Sequence, residues 1–179
     1  MATYTLDNID FEVEVITNIK ENGNSYVVIH SEDMLNYLKG GMACIIHTPD
    51  ADGDLWIICG DDFMELPFLL RKRIVWHEIG HHECQPEYRF VDYDDYCEQR
   101  ISLIYEDRVL PEELEADEYS LEAFDIDELK ELAKQLVWFS EYAFRNFSAS
   151  TSWEYDMRIK HMLEVINGIV HNNPAYLVA

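Results

Sequence analysis

Basic residues are scarce: 13 Lys plus Arg stand against 36 Asp plus Glu, a formal net charge of −23. A field of that sign repels phosphate backbones and argues against direct nucleic-acid binding. It favours cationic peptides, divalent metals or basic protein surfaces, or it serves solubility alone. Cys44, Cys59, Cys84 and Cys97 form no CxxC pair, which argues against a structural zinc site built on cysteines. No apolar run approaches membrane-spanning length. The start, "MATYTLDNIDFEVEVI", lacks the basic and apolar regions of a signal peptide. The expectation is a soluble cytoplasmic protein with reduced cysteines, Cys44 and Cys59 lying in apolar runs as small core residues. Internal repeats, low-complexity blocks and Pro/Gly/Ser linkers are also missing. What is present is globular: 48% hydrophobic and 13% aromatic residues in 179 positions, enough for one core, so a single domain over 1–179 is expected.

The order of elements predicts an α+β domain, a small N-terminal mixed sheet with a hairpin followed by a mainly helical part. "FEVEVITNI" at 11–19 alternates apolar and acidic residues, as a half-buried strand does. "SYVVIH" at 25–30 is a second strand. Ser31 is placed to cap a short helix through "EDMLNYLK", ended by Gly40 and Gly41. "MACIIHT" and "DLWIIC", joined by "PDADG", read as a hairpin. After Pro67 the apolar spacing turns helical. Further helices are expected near 95–107, from Pro111 to about Phe124, and over about 127–171. In that last part Asp127 is the expected cap of a helix to about Phe147, with Leu129, Leu132, Leu136, Ala143 and Phe147 near one face. "TSWE" at 151–154 fits a capping box before a helix striped by Ile159, Met162, Leu163, Ile166 and Ile169.

The chemistry concentrates in "IVWHEIGHHEC", residues 74–84. His77 and His81 are four apart, so a helix puts both imidazoles on one face, where they can chelate one ion. Glu78 lies about 100° around the helix from His77, where it can reach a water without ligating. This is the HExxH pattern of two zinc ligands and a general base. Gly80, in mid-helix, suggests close approach of another backbone. His82 turns about 100° off the ligand face. Cys84 falls on a nearby helical face, as a packed thiol or, alternatively, a thiolate near zinc that inhibits or responds to oxidation.

A third ligand is needed. The extension HExxHxxGxxH fails, since Cys84 and Glu87 stand where Gly and His belong. Downstream, "PEELEADEYSLEAF" at 111–124 places Glu113 and Asp117 on one helical face. Glu113 can ligate, and Asp117 can hold the far nitrogen of a zinc histidine. Ala116 between them allows close packing. Glu112, about 100° from Glu113, and Glu115, about 200° away, are rival ligands.

HExxH followed by ExxAD resembles the gluzincin metallopeptidases, most closely the small single-domain minigluzincin-like and ImmA/IrrE-like peptidases. The resemblance covers about residues 40–124 and not the last third of the chain. It implies one zinc ion held by His77, His81 and Glu113, Glu78 as general base and Asp117 as orienter of a ligand. It also implies an oxyanion donor outside both motifs; Tyr93, Tyr96, Tyr105, His161 and Arg158 qualify by residue type. It implies that "DLWIICGDD", 54–62, is an edge strand pairing with extended peptide, an inner strand being the alternative. His30, His47, His161 and His171 show no ligand spacing. Between 92 and 118 eleven acids outnumber two bases, which suits a basic peptide or protein substrate. The expected activity is zinc-dependent peptide-bond hydrolysis. The rivals are a catalytically silent acidic binding protein with a retained zinc site and a peptidase specific for one partner. The helix around Trp138, Phe139 and Tyr142 is either a docking face or core.

Overall fold

The computed structural model describes residues 2–84, 98–99, 102–103, 106 and 108–172. They form an α+β fold: a five-stranded mixed sheet at the N-terminal end, followed by helices.

Two short turns organise the start of the sheet. β1 (Ala2–Leu6) and β2 (Ile9–Glu21) pair antiparallel across Asp7 and Asn8, with φ of 52° and 64°. β2 and β3 (Asn24–His30) pair across Asn22 and Gly23, with φ of 48° and 88°. Two consecutive left-handed residues are what a tight hairpin of right-twisted strands requires, and Asn, Asp and Gly adopt them most readily. β1 is an element that hydrophobic alternation alone did not reveal. β2 also departs from a simple alternating strand. Its register with β3 shifts between Val15 and Thr17, which makes Ile16 an extra residue. The shift inverts the faces: Phe11 and Val13 pack on one side of the sheet, and Ile19 on the other.

β4 (Ala43–Ile46) and β5 (Asp54–Cys59) form the expected antiparallel hairpin, but β5 runs parallel to β3 and lies inside the sheet. The strand order is β1-β2-β3-β5-β4. The expectation of an edge strand at 54–62 is therefore corrected to the inner-strand alternative: β4 is the edge beyond it, and β1 the opposite edge. The reason is visible in burial. Leu55, Ile57 and Cys59 face one core, together with Tyr26 and Val28, while Ile58 faces the other with Val27 and Ile29. A strand buried on both faces reads as a continuous apolar run, and "LWIIC" does.

Each face has its cover. α1 (Glu32–Tyr37) puts Met34 and Leu35 over one side. Ser31 occupies its N-cap position but makes no cap bond; its hydroxyl donates to the Glu12 carbonyl at 2.8 Å, tying the helix start to β2. After the single turn α2 (Asp61–Met64), α3 (Phe68–Glu83) covers the other side; α5 (Ile126–Asn146) and α6 (Ala149–His171) share its core, while α4 (Pro111–Leu121) packs against α3 and α6. Pro67 precedes α3 as its N-cap, and Pro111 is the first residue of α4.

Two caps differ from the sequence reading. Asp125, not Asp127, caps α5: it accepts from the Glu128 amide while the Glu128 side chain accepts from the Asp125 amide. Ser148, not Thr151, caps α6 and accepts from the Thr151 amide. In the apolar stripes, Leu129, Leu132, Leu136, Ala143, Ile159, Met162 and Ile166 are buried and Phe147 and Leu163 pack against them, whereas Ile169 is exposed. Phe139 is core; Trp138 is exposed and stacks on Tyr142. The helix expected near 95–107 lies largely outside the described residues.

Candidate metal centre

α3 passes between the sheet and the other helices, so several of its faces are buried. Leu70, Ile74, Val75 and Ile79 enter the apolar core, while Arg73 and His77 are buried toward α4 and α6. Residues four apart share a face, and Arg73, His77 and His81 form one row along this helix. α4 lies against that row at very short range. A Cβ built on Gly80 would sit 3.0 Å from Ala116 Cα and 3.1 Å from the Ala116 carbonyl oxygen. The glycine and the alanine together set the separation of the two helices.

That approach brings three donor groups together. His77 Nε2 is 3.3 Å from Glu113 Oε2, and His81 Nε2 is 3.6 Å from Glu113 Oε1. One donor atom from each of His77, His81 and Glu113 lies within 4.8 Å of the others, a buried group that could hold a metal ion. Among the described residues no other His, Cys, Asp or Glu joins it. Glu112 is buried but stands outside the group, and Glu115 is exposed.

Asp117 has no exposed surface. Its Oδ1 lies 2.9 Å from His77 Nδ1, which places the ring proton on Nδ1 and the lone pair on Nε2, toward Glu113. Burial holds the His77 pKa well below its usual value, and Arg158 and His81 push the same way, so the ring is neutral and able to ligate. For Glu113, burial raises the pKa, but the Arg158 guanidinium, the His77 contact and His81 together hold it well below the usual carboxylate range. Two neutral imidazoles and one carboxylate held ionised are the donor chemistry of a borderline divalent cation. The residues present fit such an ion.

Glu78 is half-buried beside the group. Burial raises its pKa, partly offset by His81. Its charge also raises the thiol pKa of Cys44 on β4 and Cys59 on β5, to about 12 for Cys44, where burial is the larger cause. Glu78 is thus within electrostatic range of both β4 and β5.

Several side chains at the site were not singled out by spacing. Arg73 pairs with Asp117, without hydrogen-bond alignment, and its Nε has no hydrogen-bond partner among the described residues. Its position one turn before His77 is the signal that could have found it. Arg158, on α6, donates from Nε to Asp117 Oδ2 and from Nη2 to Asp117 Oδ1, each at 2.8 Å, and its Nη1 is 2.7 Å from Glu113 Oε2. Arg158 therefore contacts both Glu113 and Asp117. Glu154, one turn earlier on α6, is 3.9 Å from Arg158 Nη1.

Other expected neighbours fall elsewhere. His161 pairs with Glu118 at 2.6 Å on a partly exposed surface. Tyr93, Tyr96 and Tyr105 lie outside the described residues. His82 turns off the ligand face and stacks on His47 with ring centroids 5.7 Å apart. Cys84 is exposed rather than packed; partial burial raises its pKa, and Glu115, Glu122 and Glu83 add to the rise, which disfavours a thiolate. Of the acid-rich segment, Glu98, Glu106, Glu115 and Glu118 are described and exposed. Among the described residues no helix is long and apolar enough to cross a membrane. No protein-family model, curated protein or solved structure matches this chain.

Proposed function

We propose that the buried group on α3 and α4 is the active site of a zinc-dependent peptidase of gluzincin type, acting in the cytoplasm on peptide or protein substrates. The observation that carries the reading is the convergence of His77, His81 and Glu113 donor atoms within 4.8 Å, with Glu78 directly after the first histidine. His77, His81 and Glu113 would hold the ion. Three protein ligands suit a catalytic rather than a structural zinc, which usually takes four. When bound, zinc lowers the pKa of a coordinated water toward neutrality and polarises a carbonyl.

The protein's own groups divide the remaining work. Glu78 accepts the proton of the attacking water on its carboxylate and can return it to the leaving amine. Asp117 keeps the His77 proton on Nδ1, so that Nε2 faces the ion. β4, the sheet edge that packs beside α3, offers its free side to an extended substrate backbone. The net charge of −23 favours basic substrate segments. Cleavage of neutral and basic peptide panels at equal rates in low salt would remove that preference.

Arg158 supports a second reading. Its Nη2 lies 3.2 Å from His77 Nε2, the nitrogen that would ligate, so a catalytically silent binding protein with a weakened metal site also fits. Metal analysis of purified protein, combined with proteome-wide cleavage profiling of wild type against Glu78→Gln, separates the two. The peptidase reading expects about one zinc per chain in both proteins. It expects cleavage to fall by about 10²–10⁴-fold in the variant. Equal cleavage by both proteins would overturn the mechanism, and no cleavage by either would favour the silent protein.

A further inference from the structure

A guanidinium lies against the ring of a candidate ligand, His77. With its proton fixed on Nδ1 by Asp117, the ring has a single lone pair, on Nε2. That atom faces Glu113 Oε2 at 3.3 Å, while Arg158 Nη2 lies 3.2 Å from Nε2 and 3.4 Å from Nδ1, over the ring and off the lone pair. A guanidinium keeps its charge, so it opposes a second cation at this ring by repulsion. Arg158 is 6% exposed and reaches the site from α6, a helix that carries none of the three donors.

The remaining contacts of Arg158 do not conflict with a bound ion. Nε and Nη2 grip the two oxygens of Asp117, and Nη1 takes Glu113 Oε2. Glu113 still has Oε1, the oxygen turned toward His81. The conflict is the repulsion between two cations at close range. An alternative position for the guanidinium is at hand. Glu154 is 3% exposed and its Oε1 lies 3.9 Å from Nη1, beyond hydrogen-bond distance but within a small side-chain shift. The Tyr155 ring, with its centroid 5.6 Å from the guanidinium carbon, gives that shift an aromatic flank.

We propose that Arg158 is a positioning residue that competes with the metal ion through its charge: it holds Glu113 and Asp117 in place, lies against the His77 ring, and yields toward Glu154 when a divalent cation binds. α6 thereby tunes the metal affinity of a site whose ligands lie on α3 and α4. The inference rests on the metal-centre reading and goes beyond it.

The test uses the full chain, stripped by chelator and titrated with zinc sulfate against a competing chelating dye, with melting followed in parallel. Arg158→Gln, which removes the cation, is expected to bind zinc roughly tenfold more tightly than wild type. Its stripped form is expected to melt lower than stripped wild type, so that zinc raises its Tm by more. Arg158→Lys, which keeps the charge but not the fork, is expected between the two. Glu154→Gln, which weakens the alternative position, is expected to bind zinc less tightly than wild type. Unchanged or weaker zinc binding in Arg158→Gln overturns the proposal and leaves Arg158 a purely structural ion-pair partner. Should Arg158→Gln fail to fold, unchanged zinc binding in both Arg158→Lys and Glu154→Gln overturns it. Zinc binding by Arg158→Gln but not by wild type supports the competition and overturns the peptidase reading of the native chain. Zinc binding by none of the proteins overturns both.

Discussion

Asp117 and Glu83 are both carboxylates held by several donors where α3 meets its neighbours, and they are held in opposite ways. Glu83, the last residue of α3, accepts from Asn22 Nδ2 at 3.0 Å, from Asn24 Nδ2 at 2.8 Å and from the Tyr26 hydroxyl. All three donors are neutral and come from the β2–β3 hairpin. Burial raises its pKa, but Tyr26, Asn24 and Asn22 together keep it below the usual value. The result is an anchor that ties the helix end to the sheet. Asp117, fully buried, is held by Arg158 and Arg73 and by a His77 ring that faces the ligands. Neutral donors pin a carboxylate and involve little else. Charged donors in a buried place make each member depend on the others, because a lone charge there is costly. The first arrangement builds structure; the second builds a place where one more cation changes the balance.

The largest difference between them should appear on truncation. Asp117→Ala leaves two buried guanidiniums facing each other and is expected to destabilise the fold by about 3–5 kcal/mol. Chemical denaturation measures it; a loss no larger than that at Glu83 would erase the distinction. Glu83→Gln keeps the shape and one acceptor, and is expected to cost about 1.5 kcal/mol while leaving zinc affinity unchanged. A zinc affinity altered by tenfold would mean that the anchor and the site are one unit.

A smaller effect sharpens the comparison from the side of pH. His47, beside His82 on the edge-strand side of α3, has its pKa pushed down to about 4 by burial, with His82 and His81 acting in the same direction. Its folded pKa lies below the ordinary 6.5, so the unfolded chain takes up a proton first as pH falls. Stability from this group is full above pH 6.5 and drains between 6.5 and about 4. Discounted for partial exposure, the loss is about 1 kcal/mol. Melting of wild type and His47→Gln across that range measures it; identical curves would remove His47 from the linkage.

What was legible in the sequence was local. His77 with His81, and Glu113 with Asp117, are each four apart, and helical geometry alone puts each pair on one face. Gly80 and Ala116 pointed to a close helix crossing because small residues in the middle of a motif have few other uses. Arg158 was not legible in its place, since it is 41 residues beyond Asp117 and only the packing of α6 on α4 delivers it. Sequence left 54–62 open between edge and inner strand for a related reason. The parallel pairing of β3 with β5 carries the chain past its neighbour before it returns, and sequence order does not record that crossing. The start of α5 shows the limit of cap reading. "DIDE" offers Asp125 and Asp127 equally by type, and the reciprocal bonds with Glu128 select the first.

The contact between Gly80 and Ala116 has a consequence for which ions the site can accept. Backbone touches backbone there, at 3.0 Å from the position a Cβ would take, so the axes of α3 and α4 cannot move closer. An ion with shorter bonds has to be met by turning the Glu113 side chain or the imidazoles, each limited to its staggered torsions. A larger ion that asks for six or more oxygen ligands finds one carboxylate and two ring nitrogens on a fixed frame. Selectivity, on this account, resides less in the identity of the three donors than in a spacer with no side chain.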